Sequence, residues 1–281
     1  MGKLAILGGV VWFLMCLPLA IGGTCAPAEL FDECPKVPTN FPRVLDQARN
    51  GDPLAQFQIG LAYEAGLGTT QNYLEAARWY RKAADHGNPG AQNNLAGLYS
   101  RGLGVQQDDL EAREWYLRAA LEGYPAAETN VGFMYANGRG TVQNLESAVS
   151  WYRKAAAKGY APAENNLGFM YANGRGVQLD LESAIKWYQK AAKRGYAPAE
   201  FNLGLIYLND PGLQNIGAGV HWVRIAADHS FAEAENQLGL LYEHGRGVAM
   251  DHGLAEKWFG LAAKQGFPEA RRNLEALAAS K

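Results

Sequence analysis

Cysteine, basic runs and glycosylation sequons are what this chain has little of, and each scarcity removes a class of explanation. Its three cysteines, Cys16, Cys25 and Cys34, all stand near the N-terminus, so no disulfide framework or cysteine-based metal centre organises the rest. No Lys/Arg-rich run offers a stripe for phosphates, and a formal charge of −2 points to neither nucleic acid nor a membrane surface. The five histidines, His86, His221, His229, His244 and His252, match no ligand spacing on a helix face, so no metal is expected. No Asn-x-Ser/Thr sequon occurs, but Ser and Thr are scarce, so this absence favours a bacterial source only weakly.

The first residues carry an address. Met1, Gly2 and Lys3 precede an uncharged apolar stretch from Leu4 to Ala20, followed by Gly22, Gly23 and Thr24. This is the layout of a secretory signal, with Ala20 and Gly22 at the specificity positions and cleavage after Gly22. Cys25 follows Gly22-Gly23-Thr24, a poor match to a lipoprotein site. The alternative is an uncleaved anchor, since roughly 18 apolar residues barely span a bilayer. Pro18 and the single flanking Lys favour cleavage. Cys16 would leave with the signal, and Cys25 and Cys34 remain as a candidate disulfide pair. Residues 23–41, with Pro27, Pro35 and Pro38, read as an extended lead-in.

What the chain has in abundance is regularity. Trp79, Trp115, Trp151, Trp187, Trp222 and Trp258 stand 36 residues apart, with one step of 35. Tyr63, Tyr99, Tyr135, Tyr171, Tyr207 and Tyr242 keep the same beat. Self-similarity at this period is the signature of a stacked repeat array, which has no single core and grows by copies. The copies span 51–86, 87–122, 123–158, 159–194, 195–229 and 230–265, with a truncated seventh at 266–281.

Each copy reads as two helices. In the third, Pro125 to Tyr135 places Ala127, Val131, Met134 and Tyr135 at helical spacing. Asn137-Gly138-Arg139-Gly140 follows, and its glycines can end a helix with positive φ. Asn144, like Asn72, Asp108 and Asp180, can cap a second helix expected from about Leu145 to Lys158. Gly60, Ala96, Gly132, Gly168, Gly204 and Gly239 keep one position small, so that the Trp and Tyr rings fill the gap as core. Residues 42–50 read as an N-terminal capping helix, and Glu275 and Ala278 replace the small residue and the Tyr at the other end.

The unit Ala-x-x-x-Leu-Gly-x-x-Tyr-x-x-Gly-x-Gly-Val, then Ala-x-x-Trp-Tyr-x-x-Ala-Ala, resembles the Sel1-like repeat, a relative of the tetratricopeptide repeat. In the fourth copy it stands as Ala163, Leu167, Gly168, Tyr171, Gly174, Gly176 and Val177, then Ala184, Trp187, Tyr188, Ala191 and Ala192. The resemblance covers 51–281 and implies an all-α fold. That fold is a right-handed α/α superhelix of six 36-residue helix-turn-helix repeats plus a C-terminal capping helix. It also implies an adaptor or scaffold for other proteins, without a cofactor. Secreted bacterial members are similar in layout, with a signal followed by repeats. The fifth copy departs, carrying Asp210-Pro211-Gly212 in place of Gly-x-Gly.

Candidate functional residues lie off the aromatic beat. Ser183-Ala184-Ile185-Lys186 matches the Ser-x-x-Lys of penicillin-binding enzymes, but no Ser-Asp-Asn or Lys-Thr-Gly accompanies it, and no catalytic residue is assigned. Gln58, Asn94, Asn130, Asn166, Asn202, Gln237 and Asn273 share one position on the first helix. Stacked, these amides form a ladder that can hold an extended peptide, or else bond each copy to its neighbour. Phe57, Thr129, Phe201, Arg101, Asn137 and Asn173 vary between copies and are assigned to the more exposed side, as a partner-specific surface would be.

The function expected is an exported, non-enzymatic scaffold, periplasmic or secreted. It would bind a protein or peptide along a concave surface, as a regulator of a membrane or envelope partner would, and itself meet a membrane only through an uncleaved N-terminal segment. The alternatives are a cell-wall or β-lactam-related hydrolase and an endoplasmic-reticulum quality-control adaptor.

Overall fold

The computed structural model describes residues 40–279; the expected signal, nearly all of the lead-in, and Cys25 and Cys34 lie outside the described residues. The chain divides into two compact units, one ending at Asp180 and the other beginning at Leu181. The first holds α1 (Phe41–Arg49), α2 (Pro53–Ala65), α3 (Tyr73–Asp85), α4 (Pro89–Arg101), α5 (Asp109–Leu121), α6 (Pro125–Asn137), α7 (Leu145–Ala157) and α8 (Ala161–Asn173). The second holds α9 (Leu181–Ala192), α10 (Ala197–Asn209), α11 (Ile216–Asp228), α12 (Ala232–His244), α13 (His252–Lys264) and α14 (Pro268–Ala279). No strand occurs among the described residues, and no helix there is long and apolar enough to cross a membrane. Within each unit every helix packs on the next, so the two helices of a copy, and then the following copy, are neighbours.

Local chemistry sets the boundaries. Asn72, Asp108, Asn144, Asn215 and Asp251 accept backbone N–H bonds at the starts of the second helices α3, α5, α7, α11 and α13. Such a cap contributes about 1 kcal/mol. The helix expected to reach Lys158 stops at Ala157, with Lys158 as its C-cap, and the N-terminal capping helix starts one residue earlier than expected, at Phe41. First helices α2, α4, α6, α8 and α12 end on a left-handed glycine, as at Gly138 with φ 66°. Helix α10 cannot, because Asp210 stands there in extended backbone; its carboxylate accepts from the Gly212 and Leu213 N–H groups at 2.9 and 3.1 Å. A side chain thus turns the fifth loop where a glycine turns the others.

The second glycine of each Gly-x-Gly has a different task. A Cβ on Gly176 would sit 2.5 Å from the Leu145 carbonyl oxygen, and one on Gly104 would overlap the Tyr73–Leu74 peptide. Each loop therefore lies directly on the start of the preceding copy's second helix.

The core is an interlock between the small residue of the first helix and one ring of the second. Tyr80, Tyr116, Tyr152 and Phe259 are buried in this role, and in the fifth copy the aliphatic Val223 takes the ring's place against Gly204. A Cβ on Gly132 would lie 2.7 Å from the Tyr152 ring, and one on Gly239 would lie 2.5 Å from the ring of Phe259. The tryptophans depart from the expectation of a uniform core. Trp79 and Trp115 are buried, but Trp151, Trp187, Trp222 and Trp258 are half-exposed. Neighbouring residues on a helix point about 100° apart, so only the residue after Trp faces the small position. The indole faces instead meet cations one turn on: Lys82 lies 4.1 Å from Trp79, Lys154 3.9 Å from Trp151 and Lys190 3.8 Å from Trp187. Each such stack contributes on the order of 0.5–1 kcal/mol.

The interlock makes one measurable prediction. Gly132→Leu drives a side chain into the Tyr152 ring and lowers unfolding free energy by about 1–3 kcal/mol in urea titration, although leucine favours helix more than glycine does.

Candidate protein-interaction face

Polar chemistry in this fold gathers on the first helices. Asn130 Nδ2 on α6 donates to Asn93 Oδ1 on α4 at 2.9 Å, and Asn93 Nδ2 donates to Asn94 Oδ1 at 3.1 Å. Asn94 Nδ2 reaches the Tyr80 hydroxyl at 3.3 Å, and that hydroxyl donates to Glu64 Oε2 at 2.6 Å. Arg101 closes the series, donating to Glu64 Oε1 at 3.3 Å and to its own helix at the Gly97 carbonyl. One hydrogen-bonded chain therefore crosses three copies. Burial and the Glu64 carboxylate push the Tyr80 phenol well above its usual range, so it remains a donor. In the second unit Asn273 Nδ2 donates to Asn236 Oδ1 at 2.9 Å, the same step between neighbouring first helices.

The amide positions are thus partly bonds between copies. Asn94 and Asn130 belong to the chain just described, Asn166 lies half-buried on α8, and Asn202 lies half-buried on α10 in the second unit. An amide has more hydrogen-bonding capacity than one bond uses. Asn137 and Asn173 are exposed; each Nδ2 donates to a carbonyl one turn back, at 2.8 and 2.9 Å. Beside them Phe133 and Phe169 are half-buried.

Two residues assigned to the exposed side are elsewhere. Phe57 is buried, its ring 5.9 Å from that of Tyr80, because the second copy carries Gly90 and leaves room for it. Thr129 is buried and donates to the Pro125 carbonyl at 2.9 Å. Phe201 is half-buried against Phe231, with ring centroids 5.5 Å apart. Arg101 is tied into the polar chain. No group of three or more His, Cys, Asp or Glu among the described residues could hold a metal ion.

Sequence reasoning missed a column of buried carboxylates. Glu128, Glu164, Glu200 and Glu235 stand where the first two copies carry Gln56 and Gln92. Glu128 pairs with Lys158 at 2.7 Å, Glu200 with His229 at 2.8 Å, and Glu235 accepts from Gln265 at 2.8 Å. Each partner is the residue that closes the copy's second helix. The recurrence of Glu at one register was the available signal. Loop arginines were missed as clamps too. Arg139 grips Asp109 with two bonds, at 2.6 and 3.1 Å, and the Ser100 carbonyl at 2.7 Å; Arg246 reaches the Leu208 carbonyl.

With these loops, caps and interlocks in view, the comparisons with known proteins agree with the pattern. The model of the Sel1 repeat matches residues 53–88, 89–124, 125–160, 161–196, 197–231 and 232–267. A protective antigen of uropathogenic Escherichia coli, c5321, is similar at 33% identity with a TM-score of 0.69. That match covers 84% of this chain and 51% of the antigen, so the chain spans about half of the antigen's length. A Sel1 repeat protein from Oxalobacter formigenes is similar at 32% identity and a TM-score of 0.70, over 75% of this chain and 85% of the other. The immunity protein Pa5087 of Pseudomonas aeruginosa shares the fold at 24% identity and a TM-score of 0.57, over 78% of this chain and 81% of its own. A search of curated proteins gives no match.

Two outcomes follow from the clamps and carboxylates. Arg139→Ala lowers unfolding free energy by about 1–3 kcal/mol, and a double-mutant cycle with Asp109→Ala recovers part of that loss as coupling. Burial raises the Glu235 carboxyl above its usual value, with the Gln265 bond opposing in part. The folded state then binds a proton at pH values where the unfolded chain has released it. Stability therefore falls as pH rises from the ordinary carboxylate value through the raised folded one, then levels. Glu235→Gln, the residue type of the first two copies, should flatten part of that fall in denaturation curves taken across the window.

Proposed function

The chain belongs to the Sel1 repeat family, and on that premise we propose that it is an exported, non-catalytic scaffold holding an extended polypeptide across α4, α6 and α8. Repeats of this family generally mediate contacts between proteins. The observation that carries the reading is a division of labour within each copy. Rings, small residues and loop glycines are consumed in building the fold. Amide and aromatic side chains at Asn137, Asn173, Phe133 and Phe169 remain open or half-open on one run of helices. Main-chain groups of a bound strand need donors and acceptors together, and a primary amide supplies both. The rigid helices supply them with little ordering on binding. Export rests on the signal-like residues 1–22 and places the partner in a periplasm or outside the cell.

Site-specific photo-crosslinking in the native host tests this. A benzophenone side chain at Asn137 or Asn173 should capture a discrete protein partner, and one at the exposed Glu146 or Ser150 of the second helix α7 should not. Equal capture from both helices, or none from the first, removes the reading.

A further inference from the structure

Helix α4 breaks the pattern of the face at a single residue. It carries Gly97 where the first helices of other copies carry Leu61, Phe133, Phe169, Leu205 and Leu240. The missing side chain leaves a hollow wide enough for a Cβ to enter without overlap, bordered by polar atoms. A Cβ placed on Gly97 would meet the Tyr116 hydroxyl at 3.5 Å and an Arg101 guanidinium nitrogen at 3.7 Å, both ordinary contact distances. Tyr116 is 3% exposed, yet no hydrogen bond of its hydroxyl is found among the described residues, in contrast to Tyr80. Burial pushes its phenol far up, so the hydroxyl keeps its proton and offers a donor. Arg101 is held over the hollow by its bonds to Gly97 and Glu64, and a guanidinium has five N–H donors, more than those bonds use.

We propose that this hollow is the specificity pocket of the interaction face, and that it takes a glutamine or asparagine side chain of the bound polypeptide. The proposal rests on the scaffold reading and names the chemistry the scaffold selects. Gly97 is buried, with Arg101 laid across it, so a partner reaches it with a side chain and not with its main chain. Two donors, on Tyr116 and Arg101, need an acceptor; the Glu64 carboxylate beside them suits a donor. A primary amide provides both at one end of a side chain. A carboxylate would confront Glu64, and the charges nearby are already balanced as Arg101–Glu64 and Arg139–Asp109 pairs. An aliphatic group would seal the Tyr116 hydroxyl away from water without a partner, at a cost of about 1–3 kcal/mol.

The test uses three defined compounds against the full chain: N-acetyl-glutamine methylamide and its glutamate and leucine counterparts. Titrations are followed by NMR at Gly97 and Tyr116. The glutamine compound should shift both residues and bind about tenfold more tightly than either of the others. Tyr116→Phe should reduce that preference to the leucine level without lowering the melting temperature, because it removes a hydroxyl that has no partner. Gly97→Leu, which restores the side chain of other copies, should block all three compounds. Equal affinities, no shifts from any compound, or a preference that survives Tyr116→Phe overturns the pocket. Crosslinks at Asn137 and Asn173 without a glutamine preference leave the scaffold and remove the pocket. A preference without crosslinks keeps the pocket's chemistry and removes the scaffold.

Discussion

Everything in this fold depends on one close approach, the seat of a second-helix ring over a first-helix residue with almost no side chain. Tyr152 over Gly132 and Phe259 over Gly239 each bring two helices nearer than any larger residue would allow. Ala96 is the bulkiest residue that copies one to six carry at that register. From this distance follow the buried alanines that line each second helix, since nothing larger fits between cylinders held so near. The short, capped helices follow as well. Helices of 13 residues are marginal alone and persist because every one is pressed against its neighbours.

The architecture was legible because it is written many times. Helix spans, the positive-φ glycine after every first helix except α10, and the small-residue register came from periodicity and needed no tertiary knowledge. What failed was neighbour-dependent. The pair Trp-Tyr advertises two core rings, but helical rotation gives only the second a line to the partner helix, and most of the indoles end at the rim under lysines. Phe57 looked exposed because its own copy does not bury it; Gly90, in the next copy, does. The carboxylate column escaped notice because a lone Glu on a helix reads as solvated, and its partners lie about thirty residues away, at the far end of the second helix.

The polar layer therefore has two natures. Buried amides and carboxylates bond between turns and between copies, across distances that no local pattern encodes. Asn137 and Asn173 at the surface, the half-open rings and the Tyr116 hydroxyl stand apart from that bonding between copies. Variation between copies matters most in this second set. A repeat that must fit its neighbours tolerates change only at positions the neighbours do not read, and Gly97 in the place of Phe or Leu is such a change.

The second glycine of each Gly-x-Gly limits how the protein can evolve. Because Gly104, Gly140 and Gly176 rest against backbone at the start of the preceding copy's second helix, their loops have no slack to absorb an inserted or deleted residue. Growth by unequal recombination must then occur in whole copies, which preserves the register. The fifth copy, one residue shorter, has no Gly-x-Gly after α10, and its turn is made by an aspartate side chain. Length has changed only where the lock between successive copies is absent, so that loop is where the array can be re-spaced without breaking its stack.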